Sequence, residues 1–292
     1  MVAWNDAKIH FLTHTTHYGG GVFEGIRAYE TDKGPAIFRL EDHVKRLFYS
    51  ASVMGMKISF TEKELIDACV RTVKDNEVKS CYIRPLAYFG YGKMGLSTIG
   101  APVDVGIAVW PWGAYLGEEG INNGVGIKLS PFTRPSKEVM PTNAKVTGNY
   151  ANSTLAKMDA LTTGYEDALL LDKNGFVAEC SGENIFFVKD GVLITPPLEN
   201  CLDGITRKSI MQLAKDMGVK VEEKQVRKEE IWSMDECFMT GTAAELTPVA
   251  TLDKKPIGPG KPGPITKKLQ EKYFAVIRGK DPNYEKWLTY IK

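Results

Sequence analysis

The sequence predicts a mixed α/β protein of two domains. Three observations carry that expectation. The 292 residues suffice for one large core or two modest ones. Up to Trp112, runs of strand period alternate with runs of helix period. Beyond the Gly- and Asn-rich stretch GAYLGEEGINNG, the pattern changes to a strand meander with helices inserted. The expected division is an N-terminal α/β domain at 1–112, an interdomain loop at 113–124 and a second, β-rich domain at 125–292.

Val22 to Tyr29 and Ala36 to Arg39 read as a hairpin around Thr31-Asp32-Lys33-Gly34. Leu40, Val44, Leu47, Phe48 and Ala51 then follow helical spacing, so a helix is expected from Glu41 to about Met54. Thr61 and Glu64 have the spacing of a capping box and open a second helix running to about Asn76. Strands follow at Cys81 to Phe89 and Val103 to Trp112. In the second part, strands are expected at 125–130, 167–171, 176–179, 184–188, 192–195 and 237–240. Lys173-Asn174-Gly175 and Lys189-Asp190-Gly191 supply hairpin turns. Helices are expected at about 152–163 and 207–217, each followed by a C-cap glycine (Gly164, Gly218), and at about 266–278 after a Gly/Pro loop.

A formal charge of +1, with 43% hydrophobic and 25% charged residues, describes an ordinary globular chain without a field for nucleic acid. An anionic ligand therefore needs a local site. The five cysteines are scattered and odd in number, which points to reduced thiols. No apolar run reaches membrane-spanning length and MVAWNDAKIHF lacks a signal peptide. A cytoplasmic location is expected.

Lys145 lies in PTNAKVTGNYANS, a run with no acidic residue. A buried amine without a carboxylate beside it favours the neutral form and can form a Schiff base with a carbonyl. Asp203-Gly204-Ile205-Thr206-Arg207, directly before a helix, offers free amides and a hydroxyl to an anion. Gly241-Thr242-Ala243 follows a strand and is a second such pocket. Either segment alone also reads as a plain turn. Glu179, at a strand end, either faces solvent or turns inward toward a protonated ring nitrogen. Arg46, on a helix, either grips a phosphate or covers apolar surface with its stem. His14 and His17 have loose spacing and no acidic or Cys partner nearby, so no metal is assigned to them.

Taken in order, HYGGGVFEGIRAYE, FRLEDHVKRL, YIRPLAYFG, WPWGAYLG, PTNAKVTGNYANS, GENIFFVKDGVLITPP, DGITRKSI and FMTGTAAELTPV resemble the branched-chain amino acid aminotransferases. These are fold-type IV enzymes that use pyridoxal 5'-phosphate (PLP). The resemblance runs nearly end to end and implies two domains, the second barrel-like, with the cofactor in the cleft between them. It makes Lys145 the Schiff-base lysine and proton shuttle. Tyr150 matches the partner of the ring oxygen, and Glu179 that of the pyridine nitrogen. Arg46, Gly204, Ile205, Thr206, Gly241 and Thr242 match the phosphate cradle.

For substrate, Tyr82 with the amides of Thr242 and Ala243 matches the α-carboxylate site. Phe23, Trp112 and Tyr115 match walls of the apolar pocket, and Arg84 matches the arginine for the γ-carboxylate of glutamate. Tyr18 and Leu96 match residues given by a neighbouring subunit. The implied minimal unit is a homodimer, with a trimer of dimers as the larger assembly; the implied partners are amino acids and 2-oxo acids, with no nucleic acid and no membrane. The chain departs from the family at two points. Relatives carry a short strand ahead of MVAWNDAKIHF, whose loss would bare a sheet edge, and Asp203 stands where many have proline. Rival readings are a D-amino acid or (R)-amine transaminase, an aminodeoxychorismate lyase, a cofactor-free Schiff-base lysine aldolase and a non-catalytic binding protein.

Overall fold

Side-chain alternation along one strand, Cys81–Phe89, sorts the first part of the molecule into a core face and a second face. The computed structural model describes residues 1–113, 115–199 and 201–292. The chain divides into two units: Met1–Trp112 with Ala144–Tyr150 and Asn283–Lys292, and Gly113–Asn143 with Ala151–Pro282. The first unit thus draws in two short stretches from the later part of the chain.

That unit contains α1 (His14–Tyr18), β1 (Gly21–Phe23), β2 (Ile26–Tyr29), β3 (Ala36–Phe38), α2 (Leu40–Val53), α3 (Glu62–Asp75), β4 (Cys81–Phe89) and β5 (Val103–Trp110). β5 runs antiparallel to β4 from Tyr82↔Trp110 to Phe89↔Val103. On the other side of β4, β1 pairs at Leu86–Tyr88 and β2 at Cys81–Ile83. β3 pairs with β2, and the C-terminal strand Leu288–Tyr290 covers the outer edge of β3. Helix α2 buries Leu40, Val44, Leu47 and Ala51; α3 buries Leu65, Cys69 and Val73. Both stripes have the 3–4-residue spacing of one helix face. They pack with Cys81, Ile83, Ala87 and Phe89 in one core, and each fully buried aliphatic side chain contributes about 1.5–3 kcal/mol. Because strand side chains alternate, Tyr82 and Arg84 emerge on the opposite face of β4.

The expected strand Val22 to Tyr29 is broken at Glu24-Gly25. Glu24 is fully buried and turned to Arg46, while a side chain on Gly25 would put its Cβ 1.9 Å from the Tyr82 hydroxyl. The capping box of α3 forms as expected, with Thr61 Oγ1 accepting from the Glu64 amide and the Glu64 carboxylate from the Thr61 amide.

The second unit contains α4 (Gly117–Asn123), β6 (Val125–Leu129), the body of α5 (Tyr150–Thr162), β7 (Asp167–Leu171), β8 (Val177–Cys180), β9 (Asn184–Lys189), β10 (Val192–Thr195), α6 (Ile205–Asp216), β11 (Val221–Glu223), β12 (Glu236–Gly241), β13 (Glu245–Leu252), β14 (Lys255–Pro256) and α7 (Pro264–Ile277). Its sheet follows the path β11-β10-β9-β12-β13-β6-β7-β8, with β14 paired to β13. The core lies among Ile127, Leu169, Ile185, Phe187, Met239 and Leu252, all fully buried. Gly175 and Gly191 take φ of 83° and 77°, the left-handed conformation that their hairpin turns require. Two features differ from expectation. The stretch expected to be only a loop holds α4, and β13 follows the Gly-Thr-Ala segment as a partner of both β12 and β6. No helix among the described residues is long and apolar enough to cross a membrane.

Candidate active site

In the first unit, Lys145 is held at backbone level on both sides. Its amide donates to Ser50 Oγ at 3.0 Å, its carbonyl accepts from the Phe23 amide at 3.1 Å, and Val146 bridges Val22. The half-buried amine is thereby aimed at two rings. Lys145 Nζ lies 2.5 Å from the Tyr150 hydroxyl and 4.9 Å from the centre of the Phe23 ring. Phe23 and Tyr150 meet edge to face at 4.8 Å.

Arg46 is gripped by both oxygens of Glu24, at 2.7 Å from Nε and 2.8 Å from Nη2. His43 Nδ1 lies 2.7 Å from the same carboxylate. Burial alone would push the Glu24 carboxyl up, but the Arg46 charge and the hydrogen bonds from Arg46 and His43 hold it down at about 2. Burial lowers the His43 imidazole below its ordinary value despite Glu24. His43 is therefore neutral at pH 7, with its Nδ1–H donated to the carboxylate.

The second face of β4 presents Tyr82 and Arg84 two residues apart. The Arg84 guanidinium lies 4.6 Å from the Phe23 ring, 5.3 Å from Tyr82 and 5.9 Å from Trp110. Tyr82 contacts Trp112 at 4.7 Å, and Arg27 Nη2 donates to the Trp112 carbonyl at 3.2 Å. The arginine thus lies against an aromatic wall, its charge offset by ring faces, and no carboxylate among the described residues pairs with it. Tyr18 and Leu96 are exposed, at 42% and 86%. Among the described residues, no hydrogen bond or ring contact joins either of them to Lys145 or Arg84.

In the second unit, Glu179 takes the inward of its two orientations and is 4% exposed. Its Oε2 accepts from the Leu202 amide at 3.1 Å and from Asn184 Nδ2 at 3.4 Å. Its Oε1 stands 2.7 Å from Arg134 Nε, an ion pair whose N–H is not aligned for a hydrogen bond. Arg134 in turn donates to Ser153 Oγ at 3.1 Å. Asn184 is the hub of this half. It also donates to the Leu202 carbonyl at 2.9 Å and pairs across the sheet with Thr240. A Cβ on Gly204 would lie 1.9 Å from its Oδ1.

Gly204 caps α6 without a side-chain acceptor, leaving the amides at Ile205 and Thr206 at the positive end of the helix. Both side chains are buried. Asp203 pairs with Lys208 at 2.8 Å. Half-buried Gly241 ends β12, Thr242 and Ala243 open the turn into β13, and the buried Thr240 hydroxyl has no hydrogen-bond partner among the described residues. Tyr115 is half-buried, with Lys157 Nζ 5.1 Å from its ring centre. His14 and His17 bind the carbonyls of Gly95 and Phe11, and no metal-holding cluster exists among the described residues.

Residue patterns alone missed Glu24, His43, Arg134, Asn184 and Trp110. Glu24, His43, Asn184 and Trp110 lie inside the segments HYGGGVFEGIRAYE, FRLEDHVKRL, GENIFFVKDGVLITPP and WPWGAYLG, so the resemblance covered them without singling them out. Arg134 carried no local signal.

The model of the family Amino-transferase class IV matches residues 21–252. The branched-chain-amino-acid aminotransferase of Pseudomonas aeruginosa is 48% identical over 292 residues, covering 100% of this chain and 95% of that protein. The crystal structure of the T.th. branched-chain amino acid aminotransferase with pyridoxamine 5'-phosphate superposes with a TM-score of 0.97 at 49% identity, covering 100% of this chain and 96% of the other. The same enzyme complexed with N-(5'-phosphopyridoxyl)-L-glutamate gives 0.95 at 47% identity, with the same coverage. With this agreement along its whole length, the chain belongs to the branched-chain amino acid aminotransferases of the class IV aminotransferase family.

Proposed function

We propose that this chain is a PLP-dependent transaminase that moves the amino group of L-leucine, L-isoleucine or L-valine to 2-oxoglutarate. Two alternating half-reactions release the branched 2-oxo acid and L-glutamate. The observation that carries the residue assignment is the Lys145 amine, 2.5 Å from the Tyr150 hydroxyl and facing Phe23. The donor set fits the cofactor. One unit offers an amine for an aldehyde, a phenol for a ring oxygen and an arginine for phosphate. The other offers a buried carboxylate whose Oε1 lacks an aligned hydrogen bond, and a helix start without a side-chain cap.

When bound, PLP supplies an aldehyde that accepts the amino group and a ring that withdraws electrons from the α-carbon. Lys145 holds the cofactor through its amine and then carries a proton from and to the substrate α-carbon at Nζ. The Tyr150 hydroxyl orients that amine and donates to the ring oxygen. Glu179, held beside Arg134, takes the pyridine nitrogen. Arg46 and the amides of Ile205 and Thr206 hold the phosphate, with Gly204, Gly241 and Thr242 shaping its cradle. Tyr82 and the amides of Thr242 and Ala243 take the α-carboxylate. Arg84 meets the γ-carboxylate of glutamate in one half-reaction and lies back on its aromatic neighbours when Phe23, Trp112 and Tyr115 enclose an aliphatic chain. A homodimer completed by Tyr18 and Leu96, in the cytoplasm, is part of the proposal.

Initial rates with each branched L-amino acid and 2-oxoglutarate, run beside D-alanine, test the reaction. Turnover of the L-substrates is expected; turnover of D-alanine alone would sink the assignment. Gly25→Ala tests the Tyr82 assignment, because the new Cβ lands 1.9 Å from the Tyr82 hydroxyl and must displace it. The expected result is a rise of about 10–100-fold in KM for the amino donor, the worth of one hydrogen bond to a charged group. An unchanged KM in the folded variant removes Tyr82 from the carboxylate site.

A further inference from the structure

Behind Tyr115, the second unit contains a buried polar cluster that the proposed reaction does not use. Lys157, on α5, is 17% exposed at its side chain and reaches the fully buried Asp167 at the start of β7, with Nζ 2.6 Å from Oδ2. The same amine donates to the Glu166 carbonyl at 2.7 Å, lies 5.1 Å from the centre of the Tyr115 ring and interacts with its hydroxyl. Asp167 is fixed from its other side. Its Oδ1 accepts from the amides of Ala168 at 2.6 Å and Ser181 at 3.3 Å.

Glu183 adds a second carboxyl against Asp167, itself 4% exposed and bound by the Gly182 amide at 3.0 Å. Burial first, and the Asp167 charge second, push Glu183 up to about 8. At pH 7 it is therefore neutral, and one ammonium balances one carboxylate. Removing these groups from water carries a desolvation penalty, whereas an apolar pair would tie α5 to β7 without it. What the ions provide is direction: Lys157 donates to two fixed acceptors, Asp167 Oδ2 and the Glu166 carbonyl, so the amine has one position, and the Tyr115 ring beside it follows.

We propose that Lys157, clamped by Asp167, is a positioning residue that fixes the Tyr115 ring and thereby sets which branched side chain the enzyme prefers. The inference rests on the proposed reaction and on Tyr115 lining its apolar pocket. A wall displaced by the width of a methyl group changes discrimination between substrates differing by one methylene about 10–200-fold.

The test measures kcat/KM of the holoenzyme for L-leucine and L-valine with 2-oxoglutarate. Tyr115→Ala removes the wall, Tyr115→Phe removes only the hydroxyl that Lys157 holds, Lys157→Met removes the charge, and Lys157→Arg restores it. The expected result is a change of about tenfold or more in the leucine-to-valine ratio for Tyr115→Ala, Tyr115→Phe and Lys157→Met. For Lys157→Met the change should lie in KM rather than kcat. Lys157→Arg should recover the parental ratio, and Lys157→Met should add nothing in a Tyr115→Phe background.

If Tyr115→Ala changes the ratio while Tyr115→Phe and Lys157→Met leave it alone, the positioning role is overturned and the pocket assignment stands. If Tyr115→Ala itself leaves the ratio unchanged, Tyr115 does not line the pocket and the inference falls with it. Should Lys157→Met fail to fold, Tyr115→Phe decides the matter, since it leaves the buried pair intact.

Discussion

Replacing Lys145 by alanine is expected to lower kcat with L-leucine by about 10²–10⁴-fold, the usual contribution of a positioned acid–base group. The chain around Lys145 is fixed by backbone contacts to Ser50, Phe23 and Val22 that alanine retains. The loss should therefore appear in the chemistry with the fold intact. The Tyr150 hydroxyl loses its amine partner at the same time, and the variant should bind the cofactor only through its phosphate and ring contacts. Stopped-flow turnover with cofactor in excess reads the effect. Full activity in the folded variant would move catalysis to another residue.

Glu24→Ala should have the largest effect on stability, about 3–5 kcal/mol, because it strands a buried cation. Glu24 is fully buried, and its partners Arg46 and His43 are only 11% and 2% exposed. Arg46, proposed above as a phosphate ligand, would also lose the two contacts that hold its guanidinium, so PLP affinity should fall alongside stability. The pH dependence separates the ion pair from mere packing. The Glu24 carboxyl is held at about 2 against an ordinary value of 4.5, so the folded state binds this proton less readily than the unfolded chain. Its stabilising contribution is present above about 4.5 and is lost as pH falls toward 2. Denaturant unfolding across that range should show the parent losing its advantage over Glu24→Gln. An advantage constant from pH 6 to pH 3 would show that the carboxylate charge contributes nothing.

Features with a local signal were legible in the sequence. The Thr61–Glu64 capping box, the turn at Lys173-Asn174-Gly175 and the alternation of Cys81–Phe89 each depend on residues within one element. The break at Glu24-Gly25 was not legible, because its causes, Arg46 and Tyr82, lie 22 and 57 residues further along the chain. The short helix Gly117–Asn123 was hidden by its glycines and asparagines, which are poor helix formers. At the site, Lys145 stood out because no acidic residue lies near it in sequence. The inward turn of Glu179 depends on Arg134, 45 positions earlier, and on the Leu202 amide. Composition and spacing named the chemistry of single side chains; their pairing across distant segments required the fold.

Borohydride trapping shows whether Lys145 holds the cofactor. Reduction of the purified yellow protein, followed by proteolysis and mass spectrometry, should place a phosphopyridoxyl group on Lys145 within the segment 141–153, with loss of colour. A phosphopyridoxyl group on a different lysine, or colourless protein that turns over substrate without added cofactor and yields no adduct, would remove Lys145 from that role.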